Sequence, residues 1–195
     1  MQRRTFIKHS GIMISAAAFS QCGLVTTDGP DNRKKRPHPD DHDSPVMKAI
    51  AIGMNAPNPH NTQAWTFRLD SNTRFTMFVD PGRMLPATDP IGRQIHIGCG
   101  AFLGVMAAGL ADLGYRADIN LLPEGPYSTD SAGELPVAFV NLTKGNTSAD
   151  PVAAAIYERR TNRLAYSPVV ITDEAFREIL DMAQPSYSRF RVIHD

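Results

Sequence analysis

Apolar residues along this chain fall into blocks of two different periods, separated by clusters of glycine, proline and small polar residues. Val46, Met47, Ile50 and Met54 recur at the spacing of one helical face, behind Ser44 as N-cap and Pro45 at the first helical position. Pro57 predicts where that helix has ended. Residues 64–69 and 74–79 are rich in aromatic and β-branched side chains and are parted by Asp70-Ser71-Asn72-Thr73, the pattern of a hairpin or two adjacent strands. Asp89 then offers an N-cap with Pro90 behind it, opening a long apolar segment that runs to Leu113 and closes on Gly114. That segment predicts a buried helix. Gly98, Gly100, Gly104 and Gly109 inside it each cost about 1 kcal/mol relative to alanine. Close packing against a neighbour is the expected compensation.

Two more strands are expected over residues 116–122 and 135–142, around a loop rich in glycine, proline and acid. Asp150-Pro151 opens an expected helix through Val152, Ile156 and Tyr157, and Thr172-Asp173-Glu174 opens another. Residues 189–194 alternate like a strand and then stop at Asp195 without turn chemistry, which reads as a chain cut short.

Composition narrows the partners. With 42% hydrophobic residues in 195 the chain can bury an ordinary core, and about 150 residues remain for it once the unpatterned N-terminal stretch is set aside. Lysine and arginine number 20 and aspartate and glutamate 20, giving no net charge. No basic stripe interleaved with aromatics appears, so a small molecule rather than nucleic acid is the expected ligand. The only cysteines are Cys22 and Cys99. A disulfide framework is therefore not expected, and Cys99 reads as a small core residue on a helix. Dinucleotide glycine loops, phosphate-binding Gly-Lys-Ser/Thr loops, nucleophile elbows and paired-cysteine metal sites are not found.

The first 25 residues read as an address. Gln2-Arg3-Arg4-Thr5-Phe6-Ile7-Lys8 resembles the twin-arginine export motif, and residues 11–18 supply a weakly hydrophobic stretch too short to span a bilayer. Ala16-Ala17-Ala18 resembles a cleavage site, whereas Phe19-Ser20-Gln21-Cys22 resembles a degenerate lipoprotein box, with Cys22 as the residue that would carry lipid. The resemblance implies the twin-arginine translocase as a partner and a periplasmic or membrane-anchored location outside the cytoplasm. It also raises the expectation of a cofactor acquired before export. Residues 26–44 are polar and charged, include Arg33-Lys34-Lys35-Arg36, and read as a disordered tether. His38, Asp40, His42 and Asp43 in that stretch are read as solvated linker residues rather than a metal site.

The run Ala56-Pro57-Asn58-Pro59-His60-Asn61-Thr62-Gln63-Ala64-Trp65, after a helix and before a strand, resembles the nitroreductase motif in which Pro-Ser is followed by Asn-x-Gln-Pro-Trp. Asn58 stands in place of the serine and Ala64 in place of the proline. Glu158-Arg159-Arg160-Thr161-Asn162-Arg163 resembles the family's Arg-Arg-Ser/Thr-x-Arg cluster, whose guanidinium forks suit phosphate oxygens. In simple members the arginine cluster comes first, whereas here it follows the asparagine motif. That order, with Asp80-Pro81-Gly82-Arg83, Leu85-Pro86-Ala87-Thr88-Asp89-Pro90 and Arg93, resembles the Acg-like branch, in which two nitroreductase-like lobes share one chain.

The resemblance implies an FMN-binding, nitroreductase-like α+β fold. A first lobe would span residues 45–149 and a second lobe would begin at residues 150–195, so that the chain forms the N-terminal half of the pattern. It assigns Arg159, Arg160, Thr161 and Arg163 to the flavin phosphate and ribityl end, and Asn61 and Gln63 to amide contacts near the ring or the substrate. The implied activity is reduction of nitro compounds, quinones or similar acceptors with NAD(P)H. A flavin-sequestering protein without turnover and a truncated inactive fragment remain as alternatives, and a homodimer sharing its sites is a further expectation. Trp65 reads as core, His60 as a loop residue, and no catalytic residue is assigned.

Overall fold

The structure is a computed structural model that describes residues 36–148, 150, 153–162, 164–165 and 171–183. The twin-arginine motif with Arg3 and Arg4, the Cys22 position, Arg163 and the strand expected over residues 189–194 lie outside the described residues.

The apolar blocks between residues 45 and 144 become elements. Helix α1 spans Pro45–Gly53, with Ser44 in the N-cap position and proline in the first turn. Strands β1 (Trp65–Ser71) and β2 (Arg74–Val79) form the expected antiparallel hairpin, with Trp65 paired to Val79 and a bulge near the turn. Helix α2 (Arg93–Asp112) leads into β3 (Tyr115–Leu121), and β4 (Ala138–Lys144) follows the long loop. The four strands make one antiparallel sheet in the order β1-β2-β4-β3. The architecture mixes helices with one antiparallel sheet, compatible with the expected α+β class.

The core lies where α1 and α2 meet the sheet. Phe75, Met77 and Val79 point inward at the period of two expected for a strand, and Ala138, Val140 and Leu142 do the same on β4. They join Val46, Ala49, Ile50 and Ile52 of α1 and Phe102, Met106 and Leu110 of α2 in one cluster. Trp65 belongs to it, 8% exposed and tilted against Phe102 with ring centroids 5.1 Å apart, so the reading of Trp65 as core holds. Cys99, 4% exposed, is likewise a core residue on α2. By length and composition α2 would pass for a membrane span, but in this fold it is the central helix, packed against α1 and β3.

Two of the four glycines in α2 do what the sequence suggested. A Cβ at Gly109 would lie 2.5 Å from Ile52 Cγ2, and one at Gly98 would lie 3.1 Å from Pro59 Cδ. Gly100 and Gly104 differ, because a Cβ at either meets nothing within 4 Å and both are exposed. The start of α2 is also displaced from the expected position. Gly92, with φ +66°, is its N-cap and Arg93 its first residue. Asp89 nevertheless serves the helix from outside, its buried Oδ2 accepting a hydrogen bond from Ile95 N at 3.0 Å. The helix expected after Asp150 is, among the described residues, a single 3₁₀ turn, Ala153–Ala155.

The tether expected to run through Ser44 is docked over its last residues. A 3₁₀ turn, Pro39–Asp41, is capped by His38, whose Nδ1 accepts from Asp40 N at 3.3 Å. Pro39 is buried, and the His38 ring lies 4.7 Å from that of Tyr157. Proline and histidine give this segment apolar surface without helical or strand periodicity, which is why its charge masked its packing.

The chain divides into two compact units, residues 1–159 and residues 160–195. Ala153 and Ile156 belong to the core of the first, where Ile156 approaches Gly109. In the second unit, helix α3 spans Asp173–Ala183, and Thr172 Oγ1 accepts from Ala175 N at 3.3 Å, the expected opening of that helix. Phe176 and Leu180 are half-buried on it.

Candidate functional site

Between α1 and β1 the backbone is forced into an uncommon shape. His60, Asn61 and Gln63 have φ of 48°, 55° and 48°, a left-handed conformation that costs non-glycine residues about 1–3 kcal/mol each. Surrounding contacts hold them there. Gln63 N donates to Asn58 Oδ1 at 2.8 Å, and Asn61 N and Thr62 N donate to the carbonyls of Asn58 and Pro59 at 3.3 and 3.0 Å. Asparagine therefore does at position 58 what a side-chain oxygen at the start of a tight turn does generally.

Two neighbours brace the loop from outside. Gly98 lets α2 approach Asn58 and Pro59, since its missing Cβ would sit 3.4 Å from Asn58 Cβ. Arg83 Nη1 donates to Thr62 O at 3.0 Å while its Nε pairs with Asp80 Oδ2 at 3.3 Å. Asp80 in turn accepts from Gly82 N at 2.9 Å, and its own N–H donates to Ala64 O at 3.2 Å. The segment Asp80-Pro81-Gly82-Arg83 thus clamps the far end of the asparagine loop onto the end of β2.

Asn61 and Gln63 line a cavity of about 300 Å³ together with Arg36, Pro37, Asn55 and Arg159. Arg159 Nη2 donates to Asn55 O at 3.2 Å, and Arg36 Nη2 donates to Arg159 O at 3.0 Å. Asn55, 5% exposed, fixes this arrangement. Its Nδ2 donates to Pro37 O and Ala51 O, both at 2.9 Å, tying the N-terminal segment to the end of α1. Two arginines and three amide-bearing residues therefore line one small space.

The structure brings together three of the six residues assigned from sequence to a cofactor: Asn61, Gln63 and Arg159. Arg160 and Thr161 are exposed residues of the second unit, and Arg163 lies outside the described residues. His60 is exposed on the loop. Arg36 and Asn55 were missed. Arg36 lay in a charge run without periodicity, and Asn55 was hidden as one polar residue at the end of an apolar helix. Its position, one turn after Ala51 and directly before Ala56-Pro57, was the available signal.

No family model matches the chain. Over 122 residues it is 34% identical to a Mycobacterium tuberculosis protein named "Putative NAD(P)H nitroreductase", the match covering 63% of this chain and 34% of that protein. Another from the same organism, "Putative NAD(P)H nitroreductase acg", is 33% identical over 124 residues, covering 63% of this chain and 36% of its own length. Both carry the nitroreductase name. A third relative, an uncharacterized protein of that organism, is 31% identical over 143 residues, 70% of this chain and 40% of its own. The matches thus take in between 34% and 40% of the length of these relatives. The nitroreductase likeness agrees with the resemblance carried by the Asn61-x-Gln63 and Arg159-Arg160 motifs, reached from the residues alone.

Proposed function

We propose that this chain is the front part of an exported, FMN-dependent oxidoreductase of the nitroreductase type, reducing nitro compounds, quinones or similar acceptors with NAD(P)H. The observation that supports it best is the convergence of Asn61, Gln63 and Arg159 on one cavity, although the two motifs lie far apart in sequence. Its donor set fits the phosphate end of a flavin nucleotide. Guanidiniums give bidentate, charge-assisted hydrogen bonds to phosphate oxygens, and side-chain amides supply both donors and acceptors. Its volume sits at the lower end of small-molecule pockets, which run roughly 300–1,000 Å³.

FMN, when bound, supplies the hydride and electron transfer. On this reading Arg159 holds the phosphate with Arg36 beside it, and Asn61 and Gln63 orient the ring or the acceptor; the phosphate and ribityl roles of Arg160, Thr161 and Arg163 rest on the family resemblance alone. The strained loop places both amides before the ligand arrives, which lowers the ordering cost of binding. Export through the twin-arginine translocase, lipid at Cys22 and a homodimer that shares its sites complete the proposal.

Steady-state oxidation of NADPH with a nitroaromatic acceptor tests the activity. Turnover by the flavin-loaded protein supports the oxidoreductase. Retained flavin without turnover replaces it with a flavin-sequestering protein.

A further inference from the structure

A second cavity, of about 430 Å³, lies between α2 and the loop that follows β3. His96, Cys99, Gly100 and Leu103 of α2 form one wall, and Leu122 and Tyr127 belong to the other. No lysine, arginine, aspartate or glutamate lines it. Its lining residues are distinct from those of the Asn61–Arg159 cavity.

Two polar atoms of the lining residues have unmet chemistry. His96 Nε2 and Tyr127 Oη are buried and have no hydrogen-bond partner among the described residues. Buried polar groups are nearly always paired, so two in contacting side chains call for a partner. Their rings meet edge to face with centroids 4.8 Å apart. His96 Nδ1 lies 2.6 Å from Gly92 O, and a carbonyl only accepts, so Nδ1 carries a proton and in the neutral ring Nε2 presents a lone pair. Burial and the neighbouring Cys99 push the Tyr127 phenol up to about 12, so it remains a donor at neutral pH. Burial likewise pushes the Cys99 thiol up to about 12, and it remains neutral. The two contacting rings thus bring one acceptor and one donor to the lining of a largely apolar cavity.

We propose that this cavity binds a neutral, phenol-sized molecule whose hydroxyl donates to His96 Nε2 and accepts from Tyr127 Oη, with its apolar body against Leu103 and Val137. A hydroxyl is the simplest group that satisfies both atoms at once. The absence of lining charge selects against anions and cations, which would enter unpaired. Ile91 and Leu121, 71% and 63% exposed, form an apolar rim for entry.

The test uses 4-fluorophenol observed by fluorine NMR in the full chain, with fluorobenzene as the probe that lacks the hydroxyl. Saturable binding of 4-fluorophenol is expected, with fluorobenzene about tenfold weaker and Tyr127→Phe about tenfold weaker for the phenol, the size of one neutral hydrogen bond. Gly100→Leu grows a side chain from a position with nothing within 4 Å, so it should fill the cavity and abolish binding. Circular dichroism confirms the fold of each variant, and should Gly100→Leu not fold, Tyr127→Phe decides alone. No saturable binding by the wild-type chain overturns the proposal. So does equal binding of the two probes, or undiminished phenol binding in either folded variant.

Discussion

The backbone N–H of Gln63 donates to the side-chain oxygen of Asn58 at 2.8 Å, and this one bond closes the loop whose His60, Asn61 and Gln63 carry positive φ angles. It ties the two ends of the loop together while leaving the side chains of Asn61 and Gln63 toward the cavity that Arg159 also lines. Removing the acceptor should therefore release the strain. Asn58→Ala is expected to destabilise the chain by about 1 kcal/mol and to weaken retention of FMN, whereas Asn58→Ser keeps a side-chain oxygen and should behave close to wild type. Urea denaturation midpoints and flavin retention across the pair check this. Equal loss in both variants would show that the oxygen is not what holds the loop.

Glycines of α2 separate by what their missing Cβ would meet. Gly109→Ala places a methyl 2.5 Å from Ile52 Cγ2 and 3.0 Å from Ile156 Cδ1, and overpacking of that kind costs about 1–3 kcal/mol. Gly104→Ala meets open space and should stabilise by about 0.5–1 kcal/mol through helix propensity. Opposite shifts of the denaturation midpoint are expected, and shifts of the same sign would contradict the packing described.

Acid stability should depend on Asp70. A hydrogen bond from the Thr76 hydroxyl, 2.7 Å away, and a second from Arg68 Nε, at 2.9 Å, hold its carboxyl below the ordinary value. A carboxylate depressed in the folded state contributes stability that is complete above its unfolded pKa and is lost as pH falls through the folded one. Asp70→Asn should be less stable than wild type near neutrality, with the difference vanishing in acid. Because Arg68 and Asp70 are partly exposed, solvent screening keeps that difference small. A difference independent of pH would rule the ionised carboxylate out.

Tyrosine titration gives a fourth check at the other end of the scale. Burial pushes both Tyr127 and Tyr157 up to about 12, the latter with help from Asp40 and Asp112. The unfolded chain gives up these protons near 10 while the folded chain keeps them, so stability should fall as pH rises between those values. Ultraviolet absorbance should show these two phenols ionising late, and ionisation of every tyrosine near 10 in the folded protein would contradict their burial.

Hydrophobic periodicity made α1, the β1–β2 hairpin and the body of α2 legible, because their apolar faces are the core. The start of α2 was not, because Asp89-Pro90 carries the residue types of a cap and a first helical position, and only the backbone shows that the helix begins behind Gly92. The expected helix around the turn at Ala153–Ala155 rested on Val152 and Ile156 standing four residues apart behind Asp150-Pro151, a spacing that a single turn also satisfies. Asn61, Gln63 and Arg159 came from family motifs rather than from periodicity. Arg36 came from neither, since a basic run carries no information about which of its members folds back. The contact of Arg36 Nη2 with the Arg159 carbonyl, together with the bonds of Asn55, places it at the cavity.

The central claim is that Arg159, Asn61 and Gln63 serve one flavin site, and fluorescence titration of FMN against the purified chain tests it most directly. The wild-type chain should bind and retain FMN, and Arg159→Gln, which keeps a donor for the Asn55 carbonyl but removes the charge, should weaken binding by about tenfold or more, as expected for a lost charge-assisted hydrogen bond. A folded wild-type chain that does not bind FMN, or an Arg159→Gln chain that binds it equally well, would contradict the assignment.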